Sequence, residues 1–181
     1  MEQNPGGRRA AAAWARPKMK PGGPSAGKRR VRRPRRIQLK SGTDIHHLKV
    51  GQTYSKDVAI SGERVELFAR ASGDTNPLHL DEEFARGTRF GQRVAHGMLT
   101  GGIIGGILGT EFPGFGTIYL SQEIKFMRPV FIDDILSIKL EVIEVFKDKN
   151  RLVLSTEVTN QRGEKVATGT AMVMPPVGEA G

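Results

Sequence analysis

The chain has 181 residues, 38% of them hydrophobic, which fits one ordinary domain with a core plus an appendage. It contains no cysteine, which excludes disulfides, cysteine–zinc sites and thiol nucleophiles together, and no apolar run reaches the roughly 18–20 residues needed to span a bilayer. The net charge of +9 is unevenly placed: residues 1–43 hold 13 of the 28 Lys and Arg against the single acid Glu2, so the remainder is mildly acidic.

Residues 1–43 are rich in Pro, Gly, Ala and Arg and almost devoid of branched apolar residues. Such a stretch buries too little surface to offset its ordering entropy, so a disordered basic tail is expected here, followed by a folded domain over 44–181. The run from Lys28 to Arg36 suits a nucleic acid or another anionic surface, and equally a tail that is simply solvated. No apolar core of a secretory signal precedes it.

From Val50 the texture changes. Gln52 to Val58 reads as a short strand. Ser61 is placed to cap a helix, with Glu63 in its first turn and Val65, Phe68, Ala69 and Ser72 at helical spacing. Gly73-Asp74-Thr75-Asn76-Pro77 ends that helix with turn chemistry, and Asp81 caps a second, short one that Gly87 closes. Residues 97–110 are apolar with five glycines after Gly97, a poor solvent-exposed helix but a reasonable enclosed one against which other backbone packs closely. Four segments of period two follow: 117–126, 136–142, 152–158 and 166–174, with turns at Lys147–Asn150 and Gln161–Gly163. A meandering antiparallel sheet wrapped around the apolar helix, an α+β fold, is the economical arrangement.

Among the four histidines, His46 and His47 lie in a linker without an acidic or apolar setting. His79 stands five residues after Asp74, on a loop that Pro77 stiffens. A bent loop can bring a carboxylate and an imidazole to one water, and the pair can then exchange its protons. Asp and Asn before Pro are also ordinary turn residues, and spacing alone leaves both readings open. Gly97 opens the glycine-rich helix, where free N–H groups and the helix dipole can hold a developing oxyanion; a steric need for glycine explains it equally well. His96 reads as a helix-entry or packing residue. No cluster has metal-ligand spacing, and no metal is expected.

Three blocks carry a resemblance: Ala71-Ser72-Gly73-Asp74-Thr75-Asn76-Pro77-Leu78-His79-Leu80-Asp81, then Phe90-Gly91-Gln92-Arg93-Val94-Ala95-His96-Gly97-Met98-Leu99, then Phe126-Met127-Arg128-Pro129-Val130. In this order they resemble the MaoC-like dehydratases and (R)-specific enoyl-CoA hydratases, over about residues 48–175. The resemblance implies a hot-dog fold, an antiparallel sheet around a central helix. It implies a hydro-lyase that adds water, reversibly, to trans-2-enoyl-CoA to give (R)-3-hydroxyacyl-CoA. Asp74 and His79 are then the acid–base pair, the Gly97 N–H binds the thioester oxygen, and Ser72 and Asn76 support the loop. Two alternatives stand beside it: a dehydratase of (3R)-hydroxyacyl groups on acyl carrier protein, and a polyanion-binding protein that works through its basic tail. Coenzyme A brings phosphates, for which Arg93, Lys125 and Arg128 are candidate contacts. No cofactor is expected, since the thioester is itself the substrate. A homodimer or higher homo-oligomer is implied, in the cytoplasm, or in the mitochondrial matrix for a eukaryotic chain.

Overall fold

The segments of period two assemble into one five-stranded antiparallel sheet. In the computed structural model, which describes residues 41–177, the strands are β1 (Thr53–Ala59), β2 (Ile118–Phe126), β3 (Ile135–Phe146), β4 (Arg151–Thr159) and β5 (Lys165–Met174). Their order is β1-β3-β4-β5-β2. Only β3, β4 and β5 form the expected meander. β1 takes the outer edge of β3, from Thr53 opposite Glu141 to Ala59 opposite Ile135, so β2 pairs with β5 at the other end. The basic run Lys28–Arg36 lies outside the described residues. The fold begins before residue 44, because the N–H groups of Gly42 and Thr43 donate to the carbonyls of Phe115 and Pro113 at 2.9 and 2.7 Å.

The alternation on β3 and β4 is realised as read. Leu136, Ile138, Leu140 and Val142 are fully buried, as are Leu152, Leu154, Thr156 and Val158. They face Ile104, Ile107 and Leu108 of the glycine-rich helix, and burial of each large aliphatic side chain stabilises the fold by about 1.5–3 kcal/mol. The β3–β4 turn runs through Asn150 in the left-handed region, φ 48°.

β2 departs from the simple pattern. A bulge lies between Tyr119 and Ser121, so Tyr119 pairs with Val173 and Gln122 with Ala171. One extra residue reverses the facing of everything beyond it. By register Tyr119, Gln122, Ile124 and Phe126 therefore share the face of Val173, Ala171, Gly169 and Ala167, although strict alternation over 117–126 would have put Ile118 and Leu120 with Phe126.

The helices are α1 (Gly62–Ser72), α2 (Pro77–Leu80), α3 (Glu82–Arg86) and α4 (Gly97–Thr110). Ser61 caps α1 by accepting from the Arg64 N–H, and Asp81 caps α3 by accepting from the Phe84 N–H. α4 is not enclosed on every side. Leu99, Thr100, Gly101, Ile104, Ile107 and Leu108 are buried, yet a stripe through Met98, Gly102 and Gly106 is exposed, and a side chain at Gly102 or Gly106 would meet open space. Where α4 does need glycine, aromatic rings rather than backbone approach it: Phe126 at Gly97 and Tyr119 at Gly105. Among the described residues no helix is long and apolar enough to cross a membrane.

Candidate active site

Turn chemistry shapes the segment between α1 and α3. Gly73 ends α1 in the left-handed conformation, φ 78°, which a residue without Cβ adopts freely, and its N–H returns to the Ala69 carbonyl at 2.9 Å. The Ser72 hydroxyl donates to the Phe68 carbonyl at 2.7 Å and accepts from the Asp74 N–H at 3.2 Å. Asp74 Oδ1 in turn accepts from the Asn76 N–H, and Asn76 Oδ1 accepts from the Leu78 N–H at 3.0 Å. With Pro77 at the first position, where a missing N–H is harmless, Asn76 thereby starts α2. His79 thus sits on one helical turn rather than on the expected loop. The asparagine cap and the proline supply the local reason, and the rigid turn fixes the ring more firmly than a loop would.

A second segment, Arg93 to His96, crosses behind the first. The bridge between Val94 and Phe131 and the 2.7 Å bond from the Ala95 N–H to the Val130 carbonyl tie it to the chain ahead of β3. That chain is itself fixed by the buried Asp134, whose carboxylate accepts from the Phe131 N–H and from Gln161. From this base the segment grips α2 three times. Arg93 Nε donates to the His79 carbonyl at 2.7 Å, the Val94 N–H approaches the Leu78 carbonyl at 3.4 Å, and His79 Nδ1 meets the Val94 carbonyl at 2.7 Å. A carbonyl only accepts, so Nδ1 of His79 carries the proton and a neutral ring keeps its lone pair on Nε2.

His96 makes the fourth cross-link. Its Nε2 donates to the Asp74 main-chain carbonyl at 2.9 Å, and its ring stacks at 3.8 Å, inclined by 32°, on that of His79. Phe68 closes the other side at 5.0 Å. His96 is only 2% exposed and is also the N-cap residue of α4, where its side chain makes no capping bond. The sequence places it at the helix entry, as found, but misses its union with Asp74 and His79. The His-Gly pair at the start of an apolar helix was the available signal.

One ligating atom from each of Asp74, His79 and His96 lies within 4.8 Å of the others. Two imidazoles and a carboxylate are also the residue types of a transition-metal site. One nitrogen of each ring, His79 Nδ1 and His96 Nε2, is already committed to a main-chain carbonyl, and the remaining nitrogen of His96 is buried. The arrangement suits proton transfer better. Asp74 is exposed and His79 half-buried, so a water molecule can reach both.

Gly97 follows directly. Its N–H belongs to the first turn of α4, where no intrahelical acceptor exists. It lines a cavity of about 340 Å³ with Val94, Thr100, Phe126, Arg89 and Arg128. Asp74 and His79 do not line this cavity; Val94, which grips His79, joins it to the histidine cluster. A Cβ at Gly97 would come 3.0 Å from the Phe126 ring, so a larger residue here requires that ring to shift. Of the residues considered for phosphate contact, Arg128 is exposed at the cavity, with Nη1 on the Lys165 carbonyl. Lys125 is exposed beside it in sequence, and Arg93 is turned inward onto His79. Arg89, which the sequence did not single out, lines the cavity too, its guanidinium 4.8 Å from the Phe90 ring centre.

Residues 46–165 match the family described as MaoC like domain. The chain belongs to the MaoC-like family. It is 43% identical over 129 residues to a 3-hydroxybutyryl-CoA dehydratase of Methylorubrum extorquens, covering 71% of this chain and 82% of that one. It is 40% identical over 129 residues to an (R)-specific enoyl-CoA hydratase of Aeromonas caviae, covering 71% and 96%. An unliganded R-hydratase structure from Pseudomonas aeruginosa superposes with a TM-score of 0.72 at 43% identity, covering 75% of this chain and 87% of that one. The sheet and α4 are accordingly the hot-dog fold of this MaoC-like domain, as expected from the sequence.

Proposed function

We propose that this chain is a hydro-lyase that adds water to trans-2-enoyl-CoA, reversibly, giving (R)-3-hydroxyacyl-CoA. The observation that carries the reading is the fixed His79 ring, which brings a ring nitrogen within 4.8 Å of an Asp74 carboxylate oxygen and of His96, the residue that precedes Gly97 at the start of α4. Relatives about 40% identical over the whole fold bear hydratase and dehydratase names for CoA thioesters.

The thioester oxygen accepts from the Gly97 N–H, which draws electrons from the alkene and leaves C3 electrophilic. Asp74 and His79 hold one water. Its oxygen bonds to C3 while its proton passes to one of the pair, and the alkene electrons move toward C2 and the thioester oxygen. A proton from the same cluster then reaches C2. One water is consumed and no electrons are exchanged, so the reaction needs neither oxidant nor reductant, and no cofactor enters this reading. Ser72 and Asn76 keep the carboxylate and the ring in place. Arg128, with Lys125 at the outer rim, receives the phosphates of coenzyme A.

The enzyme works as a homodimer. β2 has one neighbour in the sheet, and it exposes Ile118, Leu120 and, just beyond its end, Met127, an apolar edge that a second copy covers. A CoA thioester and a chain free of cysteine suit a reducing compartment, the cytoplasm or the mitochondrial matrix.

The test is hydration of crotonyl-CoA by the purified full chain, with chiral analysis of the product and the matched acyl carrier protein substrate run in parallel. Loss of alkene absorbance with an (R) product is expected. Faster turnover on the carrier protein would move the substrate to that carrier, and no turnover on either would defeat the reading.

A further inference from the structure

Resting on the proposed acid–base roles of Asp74 and His79, we infer that His96 is the positioning residue that sets the distance between them. Two of its side-chain contacts have one of the pair at the other end, and the third is the Phe68 ring. Nε2 holds the main-chain carbonyl of Asp74 at 2.9 Å, and the ring face backs the His79 imidazole at 3.8 Å. A single side chain therefore locates the carboxylate along the turn and the imidazole across it.

Packing alone does not account for an imidazole here. At 2% exposure, against Phe68 and His79, an aromatic hydrocarbon would fill the same space but leave the Asp74 carbonyl without its donor. His96 instead keeps Nδ1 buried with no hydrogen-bond partner among the described residues. An unsatisfied buried nitrogen works against stability. It is tolerated where the other nitrogen has a task, and that task is the Asp74 carbonyl. Helix capping is not the alternative, since the side chain makes no bond to α4. The position also explains why His96 precedes Gly97: the residue that spaces the acid–base pair is joined through one peptide bond to the N–H assigned to the thioester oxygen, so all three elements share one reference point.

The experiment uses the full chain with crotonyl-CoA. His96→Phe keeps a ring and removes the donor, His96→Leu removes both, and His96→Gln keeps a donor without the ring. Displacement of a catalytic group by about 1 Å costs on the order of 100-fold in rate, so kcat in the Phe and Leu variants is expected to fall by about 10- to 100-fold with KM nearly unchanged, and Gln is expected to recover part of the loss. The pH–rate profile should also change, because proton transfer then runs between groups held at an altered separation. A merely structural His96 would lower the melting temperature and leave kcat and the profile of the folded protein untouched; that outcome overturns the inference. If only the Gln variant folds, its pH profile decides: a changed profile supports the role and an unchanged one removes it. Asp74→Asn and His79→Ala run alongside separate the two levels. Full activity in those variants defeats the acid–base roles on which the inference rests, whereas their inactivity with an unaffected His96→Phe defeats only the positioning role.

Discussion

His79 Nδ1 donates to the main-chain carbonyl of Val94 at 2.7 Å, and this bond fixes both the tautomer and the aim of the ring. Removing the ring or the neighbouring carboxylate should therefore stop proton transfer while leaving the fold intact. Acid–base groups of this kind contribute about 100- to 10,000-fold to rate. His79→Ala and Asp74→Asn are expected to lose crotonyl-CoA hydration by that range with an unchanged circular dichroism spectrum. Turnover within a few-fold of the parent in either folded variant would dismiss the pair.

Arg93 and Arg128 divide two tasks that look alike in sequence. Arg93 Nε grips the His79 carbonyl and its Nη2 is buried without a partner, whereas Arg128 stands exposed at the cavity. Arg93→Met should lower kcat and the melting temperature with little change in KM. Arg128→Met should raise KM for the CoA ester by several-fold, and the more so at low salt, where exposed charges are least screened. A KM effect at Arg93 and none at Arg128 would reverse the assignment.

Gly97 carries a packing constraint and an access constraint, and they can be separated. Gly97→Ala places a methyl about 3.0 Å from the Phe126 ring, which is 47% exposed and can yield, so the cost is expected at or below the lower end of the about 1–3 kcal/mol of overpacking in a closed core. Thermal unfolding should show that loss, with most of it recovered in Gly97→Ala combined with Phe126→Leu. Failure of the second change to restore stability would mean that the ring is not the obstacle.

Lysine in place of both Ile118 and Leu120 adds charge to exposed positions on the free edge of β2. Sedimentation should report a monomer for this variant against a dimer for the parent. An unaltered sedimentation coefficient would place the contact elsewhere.

Glu111, at the C-terminal end of α4, accepts hydrogen bonds from Lys56 and Tyr54 of β1, and these hold its carboxyl below the ordinary value of 4.5. A native carboxyl held low stabilises the fold fully above that ordinary value, and the contribution fades as pH falls through the lowered one. Because the pair is partly solvent-exposed, the effect is modest, about 0.2–1 kcal/mol. The melting temperature of Glu111→Gln should trail the parent at pH 7 and meet it under acid conditions. A gap that persists in acid would point to packing instead.

The fold was largely legible because period two and a glycine-rich apolar run are local signals. Leu136 to Val142 and Leu152 to Val158 bury the faces that their alternation marks. β2 was misread because a bulge is set by pairing with β5, which no local pattern records. The enclosed reading of α4 failed at Gly102 and Gly106, since glycine content alone does not tell a tight contact from an open face. At the site, spacing and helix-end chemistry marked Asp74, His79 and Gly97 as candidates, and only the family resemblance gave them roles. His96 and the inward turn of Arg93 depend on contacts between residues 22 and 14 positions apart, and only the folded chain brings those together.

The extra residue in β2 has a consequence for how this molecule can change over time. Upstream of it the outward side chains belong to the rim of the sheet; downstream the inward ones reach the cavity floor through Phe126. The two halves of one strand thus answer to different demands. Substitutions at positions 118 and 120 can redraw the surface offered to a neighbour while the chamber beneath Gly97 keeps its shape.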